Sequence, residues 1–335
     1  MRKIINDPRN FVEETMEGIT LAYGGKVALL NGDPRVLVRA TPKEEGKVAV
    51  VTGGGSGHLP VFLGYVGEGM LDGCAVGNVF ASPSAQKMTD MILGCDRGAG
   101  VLCLYGNYGG DSLNFGMARE NADFEDVKTA EVRFADDVAS APKGEEARRR
   151  GVAGVVFAFK VAGAAAEQGK SLEEVTTVAE KALANIRTMG VALSPCIIPE
   201  VGKPSFSIEE DEIEIGMGIH GEPGIEVRKM MTADEIAEVI LGKILEDMPL
   251  SEGDEVSVLV NGLGGTPMEE LLIVYRRVHQ ILAQKGVKIH MPHIGEYATS
   301  MEMAGLSVSL FRLDAEMKAL LESPAGTPFY TNANK

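Results

Sequence analysis

Three glycine-rich stretches of the chain carry side chains able to do chemistry. "GMGIHGEPG" (216–224) sets His220 among four glycines and a proline. "TGGGSGHLP" (52–60) places His58 directly after Gly55, Ser56 and Gly57, and "YGNYGGDSLNFG" (105–116) carries Asp111. A neutral imidazole is a nucleophile and a proton acceptor near neutral pH, and a carboxylate can take the proton of a substrate hydroxyl. Glycine lets the backbone come close to a small ligand. A plainer reading stands beside each of these: a histidine in a turn, or an aspartate capping a helix or closing an Asx-turn.

Familiar motifs do not account for "TGGGSGHLP". A phosphate-binding loop needs a lysine after the glycines, and none follows. A hydrolase elbow, G-x-S-x-G, needs glycine at 58, where His58 stands. The spacing of Gly53, Gly55 and Gly57 is wrong for a dinucleotide loop, and Asp72 precedes the next apolar run instead of closing it. What is left is a strand, a loop whose backbone N–H groups can face hydroxyl or carbonyl oxygens, and an imidazole at its end. The remaining histidines are weaker candidates. His279 lies inside a helical stretch, and "HMPH" (290–293) offers too few ligands for a metal site, so no metal is expected.

The elements that must position these residues are legible in outline. "KVAVV", "GVLCLY" and "VSVLV" are β-type runs that end in glycine-rich loops. Between them lie helical stretches. "SLEEVTTVAEKALANIRTMG" opens with a capping box, Ser171 to Glu174, and puts Val175, Val178, Ala179, Ala182, Leu183 and Ile186 on one face. "TADEIAEVILGKILEDM" repeats the device with Thr232 and Glu235, and "MEELLIVYRRVHQILAQKG" ends before Gly286. Strands alternating with helices imply an α/β protein with mostly parallel or mixed sheets flanked by helices, whose ligands bind at the carboxyl ends of the strands. Prolines at 195, 199 and 204 suggest two α/β domains. The first, 1–190, would carry the His58 and Asp111 loops, and the second, 191–335, would carry His220.

Bulk properties narrow the function. A chain of 335 residues suits two domains, and 45% hydrophobic with 24% charged residues is globular composition. A net charge of −16 speaks against nucleic acid as a partner. The nearest thing to a basic patch, Arg148, Arg149 and Arg150, follows two glutamates and reads as a solvated helix face. The first residues lack an apolar run long enough for a signal peptide, and no segment is suited to spanning a membrane. Cys74, Cys95, Cys103 and Cys196 form no C-x-x-C pair and read as free thiols of a cytoplasmic protein.

Taken together, "GGGSGH", "GNVFASPS", "GGDSLNFGMARE", "GVAGVVFAFKVAGAAAEQGKSLEEV", "GMGIHGEPG", "VNGLGGTPMEEL" and "YATSMEMAGLSVSLFRLD" resemble, in order, the blocks of the substrate-binding subunit of dihydroxyacetone kinases, the DhaK family. The resemblance covers nearly the whole chain. It implies a subunit that binds a short ketose as a covalent hemiaminal on His220, with His58 and Asp111 as the acid–base pair and Gly55, Ser56 and Gly57 contributing backbone contacts. It also implies a homodimer and a separate nucleotide-binding subunit. ADP or ATP with Mg2+ would sit on that partner, and the chain itself would hold no cofactor. The donor would be a phosphotransferase-system protein or free ATP.

Two positions depart from the family's pattern. Leu59 stands where members commonly have glutamate, and Gly106 where they often carry lysine. A pocket with these charges removed has more room, which points to a tetrulose such as erythrulose as an alternative substrate. Some paralogues bind dihydroxyacetone as co-activators of a transcription factor. The presence of both His58 and Asp111 favours the kinase over that reading.

Overall fold

The computed structural model describes residues 2–333. The chain forms two compact units, one built from Met1–Phe134, Val156–Ala182 and Glu316–Lys335, the other from Ala135–Val155 and Leu183–Ala315. Both are mixed α/β, the class expected from the alternation of strand and helix patterns.

In the first unit, β1 (Val27–Leu29), β2 (Val36–Arg39), β3 (Ala49–Ser56), β4 (Gly73–Val79), β5 (Val101–Gly106) and β6 (Thr129–Phe134) form one sheet in the order β1-β2-β4-β3-β5-β6. Strands β4, β3, β5 and β6 run parallel, while β1 and β2 are antiparallel additions at one edge. The central strands are buried nearly end to end, which explains their unbroken runs of small and apolar residues. Helices α1 (Phe11–Tyr23), α2 (Ala85–Cys95) and α3 (Gly109–Phe124) accompany the sheet. Met88, Met91 and Ile92 of α2 and Phe115, Ala118 and Ala122 of α3 share a core with Val51, Ala75, Cys103 and Tyr105.

Helices α4 (Val155–Glu167) and α5 (Leu172–Ala184) follow in the chain. Lys160, on α4, is buried and donates a 2.8 Å hydrogen bond to the carbonyl of Leu320, near the end of the helix Ala315–Glu322. Burial pushes its ammonium group down to about 8. Cys74, Cys95, Cys103 and Cys196 are free and buried, and burial drives the Cys103 thiol up to about 12.

The second unit contains β7 (Ile186–Ser194), β8 (Glu212–Ile215), β9 (Glu226–Lys229), α6 (Ala233–Asp247), β10 (Glu255–Gly262), α7 (Met268–Gln284), β11 (Lys288–Ile289), β12 (His293–Glu296) and β13 (Ala304–Leu313). Its sheet runs β11-β10-β13-β7-β8-β9, with β12 also pairing with β10. Helices α6 and α7 bury Ile236, Ile240, Ile244, Val274, Val278 and Leu282 in one core with Val258, Val260 and Val308. The capping box expected at Thr232 and Glu235 is present.

Three sequence expectations differ from the structure. The helical pattern from Ser171 ends at Ala184, and Ile186, expected on the helix face, instead opens β7. Thr188, Met189, Gly190 and Val191 are needed there as a buried strand between β13 and β8, and tertiary pairing overrides the helical period. Residue 190, where prolines and glycine suggest a boundary, lies inside that strand, and the chain passes between the two units more than once. Local breakers mark turns, whereas a compact unit is defined by which segments pack together. Finally, only Arg148 of the three consecutive arginines is solvated. Arg149 is 1% exposed and forms a 2.6 Å pair with Asp247, and Arg150 is mostly buried. Their buried acidic partners lie far off in sequence or in another loop, so the local pattern could not reveal them.

Asn261 on β10 joins several segments of the second unit. Its Nδ2 donates to the carbonyl of Ala298 and to Ser307 Oγ, and its Oδ1 accepts from the backbone N–H groups of Tyr297 and Ala298. Asn261→Ala strands those buried backbone groups, and urea unfolding is expected to show a loss of about 3 kcal/mol.

Candidate functional site

In the first unit, β4, β3 and β5 are neighbours and parallel, so their carboxyl ends lie along one edge of the sheet. That edge gathers His58 after β3, the 80–84 loop after β4, and Asp111 after β5. Strand β3 runs on through Gly53, Gly54, Gly55 and Ser56, residues whose composition reads as a loop. The glycines are there because neighbours press against them. A Cβ at Gly54 would lie 2.2 Å from the ring of Phe62, and one at Gly55 would lie 2.8 Å from the Phe80 Cα. Gly57, at φ +96°, then turns the chain out to His58.

His58 is buried, its ring stacked on Phe80 with centroids 4.8 Å apart and edge-on to Phe62. Asp111 is also buried and sits inside the first turn of α3. The N-cap position belongs to Tyr108, so Asp111 is not the simple cap that its sequence context allows. A helix N-terminus favours negative charge at such a position. The 80–84 loop touches both neighbourhoods: Phe80 covers His58, a Cβ at Gly110 would lie 2.6 Å from Ser82 Oγ, and Asn114 of α3 donates to the carbonyl of Pro83. Leu59 is half-buried, and Gly106 is the buried last residue of β5.

His220 belongs to the second unit, in the loop between β8 and β9. Its imidazole is 22% exposed, and Nδ1 lies 2.8 Å from Glu222 Oε1. The other carboxylate oxygen of Glu222 accepts the His220 backbone N–H at 2.9 Å. Burial pushes the Glu222 carboxyl upward, but its hydrogen bonds and charge interaction with His220 outweigh that and hold it at about 2. Glu222 is therefore ionised at neutral pH and can only accept, so Nδ1 carries a proton; in the neutral form of the ring the lone pair is then on Nε2. An imidazole in this tautomer presents a nucleophilic nitrogen from an orientation fixed by its neighbour.

The glycines around His220 now have specific explanations. A Cβ at Gly218 would stand 2.2 Å from Glu222 Oε2, so a side chain there would displace the carboxylate. Gly221 adopts φ +83°, a left-handed conformation that suits glycine. Glu222 is the residue that the sequence pattern did not single out. The available signal was an acidic group two positions after a histidine in a loop otherwise lacking ionisable side chains.

Elsewhere in the second unit, His293 is buried and its imidazole is pushed down to about 4 by burial, against a backbone hydrogen bond with Met291. His290 lies 3.6 Å from Glu255. His279 sits on α7, edge-on to Tyr275.

These features fall in a known family. The Dak1 domain family matches residues 17–329, and the chain belongs to it. The chain is 46% identical over 330 residues to the Listeria innocua protein named PTS-dependent dihydroxyacetone kinase 2, dihydroxyacetone-binding subunit DhaK, the match covering 98% of this chain and 99% of that one. It is 44% identical over 334 residues to the L-erythrulose kinase of Pectobacterium atrosepticum, covering 98% of this chain but 56% of that protein, and so spans about half its length. Among solved structures, the dihydroxyacetone kinase operon co-activator Dha-DhaQ matches with a TM-score of 0.89 at 32% identity, over 96% of this chain and 98% of that one.

The Glu222 interaction has a consequence for acid stability. Its carboxyl is held at about 2 in the folded chain against an ordinary value of 4.5, so the stabilisation is complete above 4.5 and is lost as pH falls toward 2. Glu222→Gln is expected to flatten the fall in melting temperature across that window. A fall as steep as that of the unmodified protein in thermal scans at a series of pH values would contradict this assignment.

Proposed function

We propose that the chain is the substrate-binding subunit of a dihydroxyacetone kinase, holding the ketose as a hemiaminal on His220 while a separate nucleotide-binding subunit supplies the phosphoryl group. The observation that carries this reading is the hydrogen bond between Glu222 and Nδ1 of His220, which in the neutral form of the ring places the lone pair on Nε2. It occurs in a chain 46% identical to a protein named as a dihydroxyacetone-binding subunit.

The chemistry follows from the tautomer. Nε2 adds to the ketone carbon, the carbonyl π pair moves onto oxygen, and that oxygen takes up a proton to become a hydroxyl. The Glu222 carboxylate faces the positive charge that builds on the ring; the Nδ1 proton passes through it to solvent as solvent supplies the proton taken up by oxygen, leaving a neutral hemiaminal. Only a carbonyl compound can be held in this way. Glycerol has matching hydroxyls but no carbon for the imidazole to attack.

Phosphoryl transfer then requires the substrate hydroxyl to lose its proton as it attacks the donor. Asp111 is the base for that step, and His58 hydrogen-bonds and polarises the ketose. Gly55, Ser56 and Gly57 supply backbone contacts. The chain is thus one part of a phosphotransferase with an alcohol group as acceptor. ADP or ATP and its Mg2+ belong to the partner subunit, which is served by a phosphotransferase-system protein or by free ATP. The chain acts as a cytoplasmic homodimer. Among the described residues, no helix is long and apolar enough to cross a membrane.

A second reading, a tetrulose as substrate, is favoured by the 44% identity to an L-erythrulose kinase and by the uncharged Leu59 and Gly106. The likeness to a co-activator supports a third, ketose sensing without catalysis, but that role has no need of both Asp111 and His58.

Calorimetric titration of the purified chain with dihydroxyacetone, erythrulose and glycerol separates these possibilities. Binding of a ketose but not glycerol, abolished in His220→Ala, is the expected result. Ketose binding that survives in His220→Ala would remove the covalent tether from the proposal. With the nucleotide-binding subunit and a phosphoryl donor added, Asp111→Asn is expected to lower turnover by roughly 100- to 10,000-fold while ketose binding persists. Unchanged turnover would take the base role from Asp111.

A further inference from the structure

The three arginines that the sequence pattern assigns to a solvated face include one that reaches the His220 loop. Arg150 lies in the 135–155 segment of the second unit, remote in sequence from residues 216–224. Its guanidinium Nη2 donates to the carbonyl of Gly216 at 2.8 Å, and Nη1 makes a longer 3.5 Å contact with the carbonyl of Glu222. The two carbonyls bracket His220. The loop folds directly onto this group, because a Cβ at Gly218 would stand 2.5 Å from Arg150 Nη1.

Arg150 is itself fixed from behind. Its Nε donates to Asp137 Oδ2 at 2.9 Å, and Nη2 lies 2.8 Å from the same oxygen. The second oxygen of Asp137 accepts the Ala139 N–H at 3.0 Å. One backbone bond and one bond to a side chain join the two segments: Asp137 N–H to the Arg150 carbonyl at 3.2 Å, and Arg150 N–H to Ser140 Oγ at 2.9 Å. The side chains of Asp137 and Arg150 are 3% and 14% exposed, so neither has solvent as an alternative partner of any consequence. Burial pushes the Asp137 carboxyl up to about 6, against the opposing pull of Arg150, and it remains charged at neutral pH.

We propose that Arg150, braced by Asp137, is a positioning residue for ketone capture, holding the Gly216–Glu222 turn in the shape that keeps Glu222 on Nδ1 of His220. A loop with four glycines has unusually large backbone freedom, and apart from Glu222 and His220 it has few side chains with which to restrain itself. A planar fork with several fixed donors can hold two carbonyls and a carboxylate at once, which an ammonium group on a flexible stem does not reproduce. This role rests on the covalent-histidine reading given above.

The test reads the His220 tautomer by nitrogen NMR of the imidazole ring in the ligand-free chain, at neutral to mildly alkaline pH, alongside calorimetric ketose affinity. The unmodified protein is expected to show a single Nδ1–H form. Arg150→Lys should show a mixture of tautomers and roughly 10- to 100-fold weaker ketose binding, with the fold retained. Asp137→Asn, which preserves shape but removes the bracing charge, should move both readouts in the same direction and serves if Arg150→Lys does not fold. Arg148→Gln, at an exposed neighbour, should move neither. A single Nδ1–H form with ketose affinity within about twofold of the unmodified protein in Arg150→Lys, or in Asp137→Asn where only that variant folds, would overturn the proposal. An unmodified chain with one tautomer but no ketose binding would overturn the covalent-capture reading instead.

Discussion

An ionised carboxylate can accept hydrogen bonds but cannot donate them, and the His220 loop is organised around that asymmetry. Glu222 takes both the backbone N–H and the Nδ1–H of His220, so one side chain orients the ring and ties it to the turn. The surrounding glycines serve this pair. Gly218 leaves space for the carboxylate, and Gly221 allows the chain to reverse between the two partners. A histidine in so bare a loop is thus placed by an acid two residues away.

The first unit arranges its chemistry by a different means. Parallel strands β4, β3 and β5 deliver their carboxyl ends to one edge, and the residues that follow them, Phe80, His58 and Asp111, are gathered there by sheet topology. The glycines of β3 answer to packing, since the rings of Phe62 and Phe115 and the backbone of Phe80 crowd the strand where side chains would otherwise project. His58 consequently lies in an aromatic surround, stacked on Phe80. An imidazole so placed exchanges few contacts with water, which strengthens any hydrogen bond it makes to a bound polar group.

Family membership and site geometry support each other without being the same finding. The match to the Dak1 domain family extends over residues 17–329, and its named relatives include proteins that bind or phosphorylate different short ketoses and one that is a co-activator. A shared fold therefore does not fix the substrate. At the strand ends this chain presents the uncharged Leu59 and Gly106 beside His58 and Asp111.

The sequence by itself determined the mixed α/β class, the capping boxes at Ser171 and Thr232 and the family, and it singled out His58, Asp111 and His220 as candidates, because periodicity, caps and motifs are local properties of a chain. It also supplied the resemblance on which their roles depend. Tertiary structure alone decided the rest. Ile186 to Gly190 lie in a stretch of helical pattern but belong to a buried strand, because β13 and β8 offer pairing on both sides. Arg149 and Arg150 look like a charged surface run yet are buried, because Asp247, Asp137 and the Gly216 carbonyl reach them from elsewhere in the chain. Hydrogen-bond partners remote in sequence leave no local pattern, and the desolvation cost of a buried charge is offset only where the folded chain brings such partners to it.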